Sequence, residues 1–175
     1  SWGLIAAKHA EIEGLPIAVD DTPKQTLMHI RRAARDLQRV RPDLSVIVVD
    51  YLQLIHVPST RNGRNRAEEI SEIARGLKLL ARESGACVVA LCQVNRAGAD
   101  RDGGPRMSDI REGGAENDAD QVILMHRPDR DIPDVEVNVG KNRHGPQGAC
   151  TLQMQGHYAR LVSVQQDWSP SAAAR

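Results

Sequence analysis

The apolar positions of this chain change period along its length, and each change marks an element. Trp2 to Glu13 reads as a short amphipathic helix closed by Gly14, and Leu15-Pro16-Ile17-Ala18-Val19 reads as a strand leading into Asp20-Asp21. Thr22 to Gln25 is a turn, and Thr26 is placed to cap a helix running to about Val40, with Ile30, Ala33, Ala34 and Leu37 on one face. His29 stands where a Glu would supply the reciprocal half of a capping box. Arg66 to Ser84 is the clearest helix: Ile70, Ile73, Ala74, Leu77, Leu80 and Ala81 recur at helical spacing, and Gly85 stops it. Cys87 to Cys92, Asp120 to His126 and Val135 to Val139 read as strands. Ala149 to Gln155 and Tyr158 to Val164 form a hairpin around Gly156-His157. The segments from Val57 to Asn65 and from Ala97 to Pro105 are polar loops, and the chain from Asp167 onward reads as an unstructured tail.

Val46-Ile47-Val48-Val49 differs from these because all four residues are β-branched, which suits a strand covered on both faces in a parallel sheet flanked by helices. The run ends in Asp50 and continues Tyr51-Leu52-Gln53-Leu54-Ile55. In such folds chemistry collects at the C-terminal ends of the strands. If the two buried strands are neighbours, Gln93 stands beside Asp50. Taken alone, Asp50 reads equally well as a solvated strand-end acid, and Gln93 as an amide satisfying nearby backbone.

Composition adds bounds. The 175 residues fit one domain, with no Phe, two Trp and two Tyr, so aliphatic packing must carry the core. Lys plus Arg equals Asp plus Glu at 23 each, so any nucleic-acid site has to be a local patch. Arg61, Arg64 and Arg66 form one such cluster, and Arg96, Arg101, Arg106 and Arg111 form another. Cys87, Cys92 and Cys150 lack Cys-x-x-Cys spacing and read as buried free thiols of a reducing, cytoplasmic compartment. No apolar stretch approaches the roughly 18 residues of a membrane span. The scattered His residues give no metal-ligand spacing.

Four blocks carry a resemblance. Asp-Tyr-Leu-Gln-Leu at 50–54 resembles the Walker B element of replicative DNA helicases of the DnaB type. Leu91-Cys92-Gln93-Val94-Asn95-Arg96 resembles that family's Gln-containing motif. Met107-Ser108-Asp109-Ile110-Arg111-Glu112-Gly113-Gly114 with Asn117-Asp118-Ala119-Asp120 resembles its DNA-binding motif, and Gly140 to Gly148 its Lys-x-Arg-x-Gly-Pro segment. The blocks occur in the family's order across nearly the whole chain.

The resemblance implies the C-terminal half of a RecA-like P-loop NTPase core over residues 1–165, with residues 166–175 a flexible tail. Its sheet would be mostly parallel, flanked by helices, with a closing antiparallel hairpin. The implied cofactors are ATP and Mg²⁺. Asp50 would hold the metal through water, since Mg²⁺ keeps several waters. Gln93 would sense the γ-phosphate. Lys141 and Arg143, two apart on an extended segment, point the same way; alone they would be surface cations. The resemblance sends them across a subunit interface to a neighbour's triphosphate, Arg143 as an arginine finger. Arg111, Glu112 and Gly114 would form the single-stranded DNA contact, with Arg64 a weaker second one and no aromatic for base stacking.

The implied partners are single-stranded DNA, like subunits in a hexameric ring, primase and a helicase loader. No Gly-x-x-x-x-Gly-Lys-Ser/Thr occurs in the sequence. The chain therefore reads as part of a motor, a fragment, truncated product or piece of a split protein, and as inactive in ATP hydrolysis by itself. A RecA-like recombinase, a plasmid or phage helicase, and a non-catalytic DNA-binding or assembly module are the alternatives.

Overall fold

The computed structural model describes residues 2–57, 65–95, 98, 103–110, 114–129, 131–164 and 169–170, the last two by backbone alone. Of the tail, Ser169–Pro170 form a two-residue strand against Gly148 and Ala149, and its other residues lie outside the described ones.

Helix α1 (Trp2–Glu13) buries none of its side chains, and Trp2, Leu4, Ile5 and Ile12 face solvent. The strand expected at Leu15 to Val19 is not formed. These residues are exposed, unpaired with any described strand, and begin with a tight turn in which the Ile17 amide donates to the Leu15 carbonyl at 2.8 Å. Apolar alternation alone does not supply a ladder, and Pro16 has no amide to contribute. The segment is tied down at its end. The Thr22 amide donates to Asp20 Oδ1 at 3.1 Å, and His29 Nε2 lies 2.8 Å from Asp20 Oδ2. The hydrogen bonds from Thr22 and His29 lower the Asp20 carboxyl to a pKa of about 2.

Helix α2 (Leu27–Val40) starts where its cap predicts, with Thr26 Oγ1 accepting the His29 amide at 3.2 Å. Helix α3 (Arg66–Ser84) is capped by the Asn65 side chain and ends at Gly85, whose φ of 69° is the left-handed conformation that terminates a helix. The two helices pack closely where Gly76 meets Leu27, since a Cβ at Gly76 would stand 2.0 Å from Leu27 Cδ2. Ile70 and Ile73 of α3 are the most deeply buried side chains, and each contributes about 1.5–3 kcal/mol by leaving water. Around them gather Ile30, Ala34, Val49, Leu52, Ile55, Leu77 and Leu80.

Strand β1 (Val46–Val49) pairs in parallel with β2 (Cys87–Ala90), Val49 opposite Ala90. Val49 is buried against the core, while Val46, Val48 and Val89 are 52 %, 63 % and 47 % exposed. The pair is thus covered on one face rather than both, because both core helices lie on the same side and no described element covers the other. Cys87 belongs to the open face and is exposed, and Cys92 and Cys150 are half-buried. The three thiols are free, as expected, but not buried.

After a short helix α4 (Ala115–Asp118) come β3 (Gln121–His126), β4 (Asp134–Asn142), β5 (Gly148–Gln155) and β6 (Arg160–Ser163), paired antiparallel in that order. The expected closing hairpin is β5–β6, turning through Gly156–Tyr158, and antiparallel pairing extends outward from it to β3. Between Val122 and Ile123 the β3–β4 register shifts, and Gly140 is passed over. That bulge sits immediately before Lys141.

Candidate functional site

Parallel pairing carries Asp50 and Gln93 to the same sheet edge. Beyond the strands the backbones stay together: the Leu91 amide donates to the Val49 carbonyl and the Leu52 amide to the Leu91 carbonyl, both at 2.9 Å. Asp50 is exposed at this edge, and Gln93 lies three residues past β2, also at the surface. The Asp50–Tyr51 peptide is cis. Gln53 links the two segments. Its Nε2 donates to Cys92 Sγ at 3.1 Å, its Oε1 accepts the Gln93 amide at a long 3.5 Å, and its carbonyl accepts Arg66 Nη2 at 2.7 Å. This linking role of Gln53 is not evident from its place inside the Asp-Tyr-Leu-Gln-Leu block. Its signal was an amide side chain among apolar residues, able to donate and accept at once.

The two residues after Gln93 pair with the next motif. Val94 bridges Ile110, and the Asn95 amide donates to the Asp109 carbonyl at 2.8 Å. Asp109 is 4 % exposed, and its Oδ2 accepts the Arg106 amide at 2.8 Å within a single helical turn, Met107–Asp109. Arg111 and Glu112 lie outside the described residues, as does Arg64. Gly114 is described, with φ 87° and a missing Cβ that would stand 2.1 Å from Ser71 Oγ. Its close approach is to α3. Gly114→Ala is therefore expected to lower stability by about 1–3 kcal/mol through left-handed strain and crowding. Thermal unfolding of Gly114→Ala and of Gly114→Ala with Ser71→Ala checks this. The second change should recover the crowding part and leave the strain.

Lys141 and Arg143 point the same way, as their spacing predicts, and they meet α4. Lys141 Nζ donates to the carbonyls of Glu116 at 2.6 Å and Asn117 at 3.1 Å, while Arg143 Nη2 donates to that of Asn117 at 2.9 Å. Cations commonly satisfy the last carbonyls of a helix in this way. Arg143 also meets Asp120: its amide donates to the Asp120 carbonyl at 2.9 Å and its Nη1 lies 3.6 Å from Oδ1. The Asp120 carboxylate accepts a hydrogen bond from Lys78 Nζ of α3, which holds the carboxyl below the usual range. The structure thus forms two groups, Asp50 with Gln93 at one sheet edge and Lys141 with Arg143 against α4. Within the chain, the side chains of the second pair contact Glu116, Asn117 and Asp120 rather than Asp50.

No group of three or more His, Cys, Asp or Glu that could hold a metal occurs among the described residues, and Asp50 is the carboxylate set at this sheet edge by β1. That suits Mg²⁺, which takes one or two protein carboxylates, keeps waters and shares the phosphates of its nucleotide. No helix among the described residues is long and apolar enough to cross a membrane.

A family model described as DnaB-like helicase C terminal domain matches residues 1–163. The replicative DNA helicase DnaB of Mycobacterium leprae is 42 % identical over 171 residues, covering 93 % of this chain and 28 % of that protein. Its counterpart from Geobacillus stearothermophilus is 39 % identical, covering 94 % of this chain and 37 % of its own length. The chain spans about a third of the length of these relatives. A solved DnaB-like replicative helicase, studied for its interactions with primase, superposes with a TM-score of 0.84 at 32 % identity, covering 94 % of this chain and 41 % of the other. A second solved structure, an ATPase domain, gives the same score and identity over 94 % of this chain and 60 % of its own. Because that family model matches residues 1–163 of the 175 in this chain, the chain belongs to the DnaB-like helicase C-terminal domain family.

Proposed function

We propose that these residues form part of the motor of a hexameric replicative DNA helicase, one that couples ATP hydrolysis to movement along single-stranded DNA and unwinding of the duplex. The observation that carries this reading is the β1–β2 register, which sets Asp50 at one sheet edge with Gln93, joined through Gln53. A positioned acid beside a neutral amide is what a nucleotide site needs in order to hold Mg²⁺ and respond to a γ-phosphate. Mg²⁺ held there would supply charge neutralisation for the phosphates. Asp50 would hold the metal through water, and Gln93 would pass the state of the site along Val94 and Asn95 to the segment ending at Gly114. Lys141 and Arg143 serve the triphosphate of the adjoining subunit.

Arg111, Glu112 and Gly114 make up the DNA contact in this reading, with Arg64 adding a weaker one. Arg111 binds phosphate without reading bases, and Glu112, which repels phosphate, orients Arg111 or a nearby amide. A structural relative was solved for its interactions with primase, and we assign primase and a helicase loader as partners of the whole protein, acting in the cytoplasm. The relatives found are replicative helicases, which favours this reading over a recombinase or a non-catalytic assembly module.

The test uses the full-length helicase carrying these residues. It should unwind a forked duplex only with ATP and Mg²⁺, and Arg111→Ala should weaken binding to poly-dT and to a mixed-sequence oligonucleotide equally. The slope of log affinity against log salt should fall by about one ion's worth. Unwinding without nucleotide would overturn the motor reading. An unchanged affinity and slope would remove Arg111 from the DNA contact.

A further inference from the structure

Arg143 is the first residue after β4, a position from which a long side chain can sweep a wide volume of solvent. It is nevertheless held at several points. Its backbone amide is fixed on the Asp120 carbonyl, its Nη2 on the Asn117 carbonyl, and its Nη1 faces Asp120 Oδ1. Asp120 is itself anchored from behind by Lys78, on the helix that carries the buried Ile70 and Ile73. A continuous line of contacts therefore runs from the core through Lys78 and Asp120 to the guanidinium. We propose that Asp120, held by Lys78, is a positioning residue for Arg143 that pre-aims the guanidinium at the triphosphate of an adjoining subunit. This rests on the arginine-finger role given to Arg143 above.

The carboxylate is not needed to hold the chain, because the backbone hydrogen bond between Arg143 and Asp120 already does so. Nor does it add much to the fold. The side chains of Lys78, Asp120 and Arg143 are 31 %, 39 % and 45 % exposed, and ion pairs that open to water contribute little stability. What the carboxylate fixes is direction. Arg has many rotamers, and holding a group near its reacting geometry before the partner arrives is a large source of rate. The charges suit this role as well. Lys78 balances Asp120, so one carboxylate shared between two cations leaves net positive charge, and the guanidinium is steered without being neutralised. With 45 % of its side chain in solvent, Arg143 remains open to an incoming anion.

The experiment uses the full-length helicase with single-stranded DNA present. Asp120→Asn should lower kcat by at least about tenfold while the KM for ATP stays within about twofold, since binding and aiming are separate tasks. Lys78→Met should act in the same direction more weakly, and it carries the test if the Asp120→Asn ring fails to assemble. Asp120→Asn combined with Arg143→Ala should be no slower than Arg143→Ala alone, because a positioning residue has nothing left to position. A merely structural role would instead multiply the two defects, and that result overturns the proposal. Wild-type kcat in Asp120→Asn, with Arg143→Ala impaired, overturns the positioning role alone. Wild-type kcat in Arg143→Ala overturns the finger assignment and the positioning role together.

Discussion

Arg143→Ala should slow ATP hydrolysis by the assembled helicase about 10³-fold or more, and the loss should appear at the neighbouring subunit's nucleotide. The size follows from arginine fingers in general, where a guanidinium set against developing phosphate charge contributes about 10³–10⁵ in rate. The location follows from the proposed role in trans. Inside the chain, Arg143 is engaged with Asn117 and Asp120, while Asp50 occupies a separate sheet edge. A finger supplied in trans also requires head-to-tail subunits, which close into rings. Mixing Arg143→Ala subunits with subunits unable to bind nucleotide checks this. Some activity should return where an intact site faces an intact finger. Hydrolysis that follows each subunit's own Arg143 regardless of mixing would show that the residue acts in cis.

Asp50→Ala should lower Mg²⁺-dependent hydrolysis in the full-length helicase by about 10²-fold or more, the loss typical when one preorganised electrostatic contact is removed from a reacting centre. Stability should change by no more than about 0.5 kcal/mol, because Asp50 is exposed and the neighbouring Val49 and Leu52 carry the packing. Steady-state hydrolysis across a Mg²⁺ titration, with thermal unfolding of the same variant, separates the effects. Near-normal turnover at low Mg²⁺ would remove Asp50 from the metal's surroundings. A large fall in melting temperature would mean that the strand end is structural.

The parts of the fold that could be read from sequence are those whose causes are local. Thr26 and Gly85 bound their helices because caps satisfy orphan backbone groups within one turn, and α3 matches its expected limits at both ends. The two-residue spacing of Lys141 and Arg143 was likewise enough to give their common direction. Leu15 to Val19 shows the limit, since alternation marks a willingness to pair but the partner strand is a non-local fact. The exposure of Cys87 and Val48 has the same origin, because only the arrangement of helices decides which face of β1 and β2 is covered. The partners of Lys141 and Arg143 were hidden for another reason. Apart from Asp120, they are backbone carbonyls of Glu116 and Asn117, some 24 to 26 residues earlier, and a carbonyl has no letter in the sequence.

On the reading proposed above, the docking of Lys141 and Arg143 on α4 would make their encounter with a triphosphate an exchange of acceptors. Both cations have already surrendered part of their hydration to neutral carbonyl oxygens, so an arriving anion must outcompete those oxygens rather than capture a freely hydrated charge. Hydrogen bonds gain strength as their partners become ionised, and a dense polyanion offers several charged oxygens at once, so it can displace the carbonyls. A single dilute anion such as chloride gains too little to do the same. Such a site would select for charge density before any shape recognition begins. Each exchange would also return the Glu116 and Asn117 carbonyls of α4 to water.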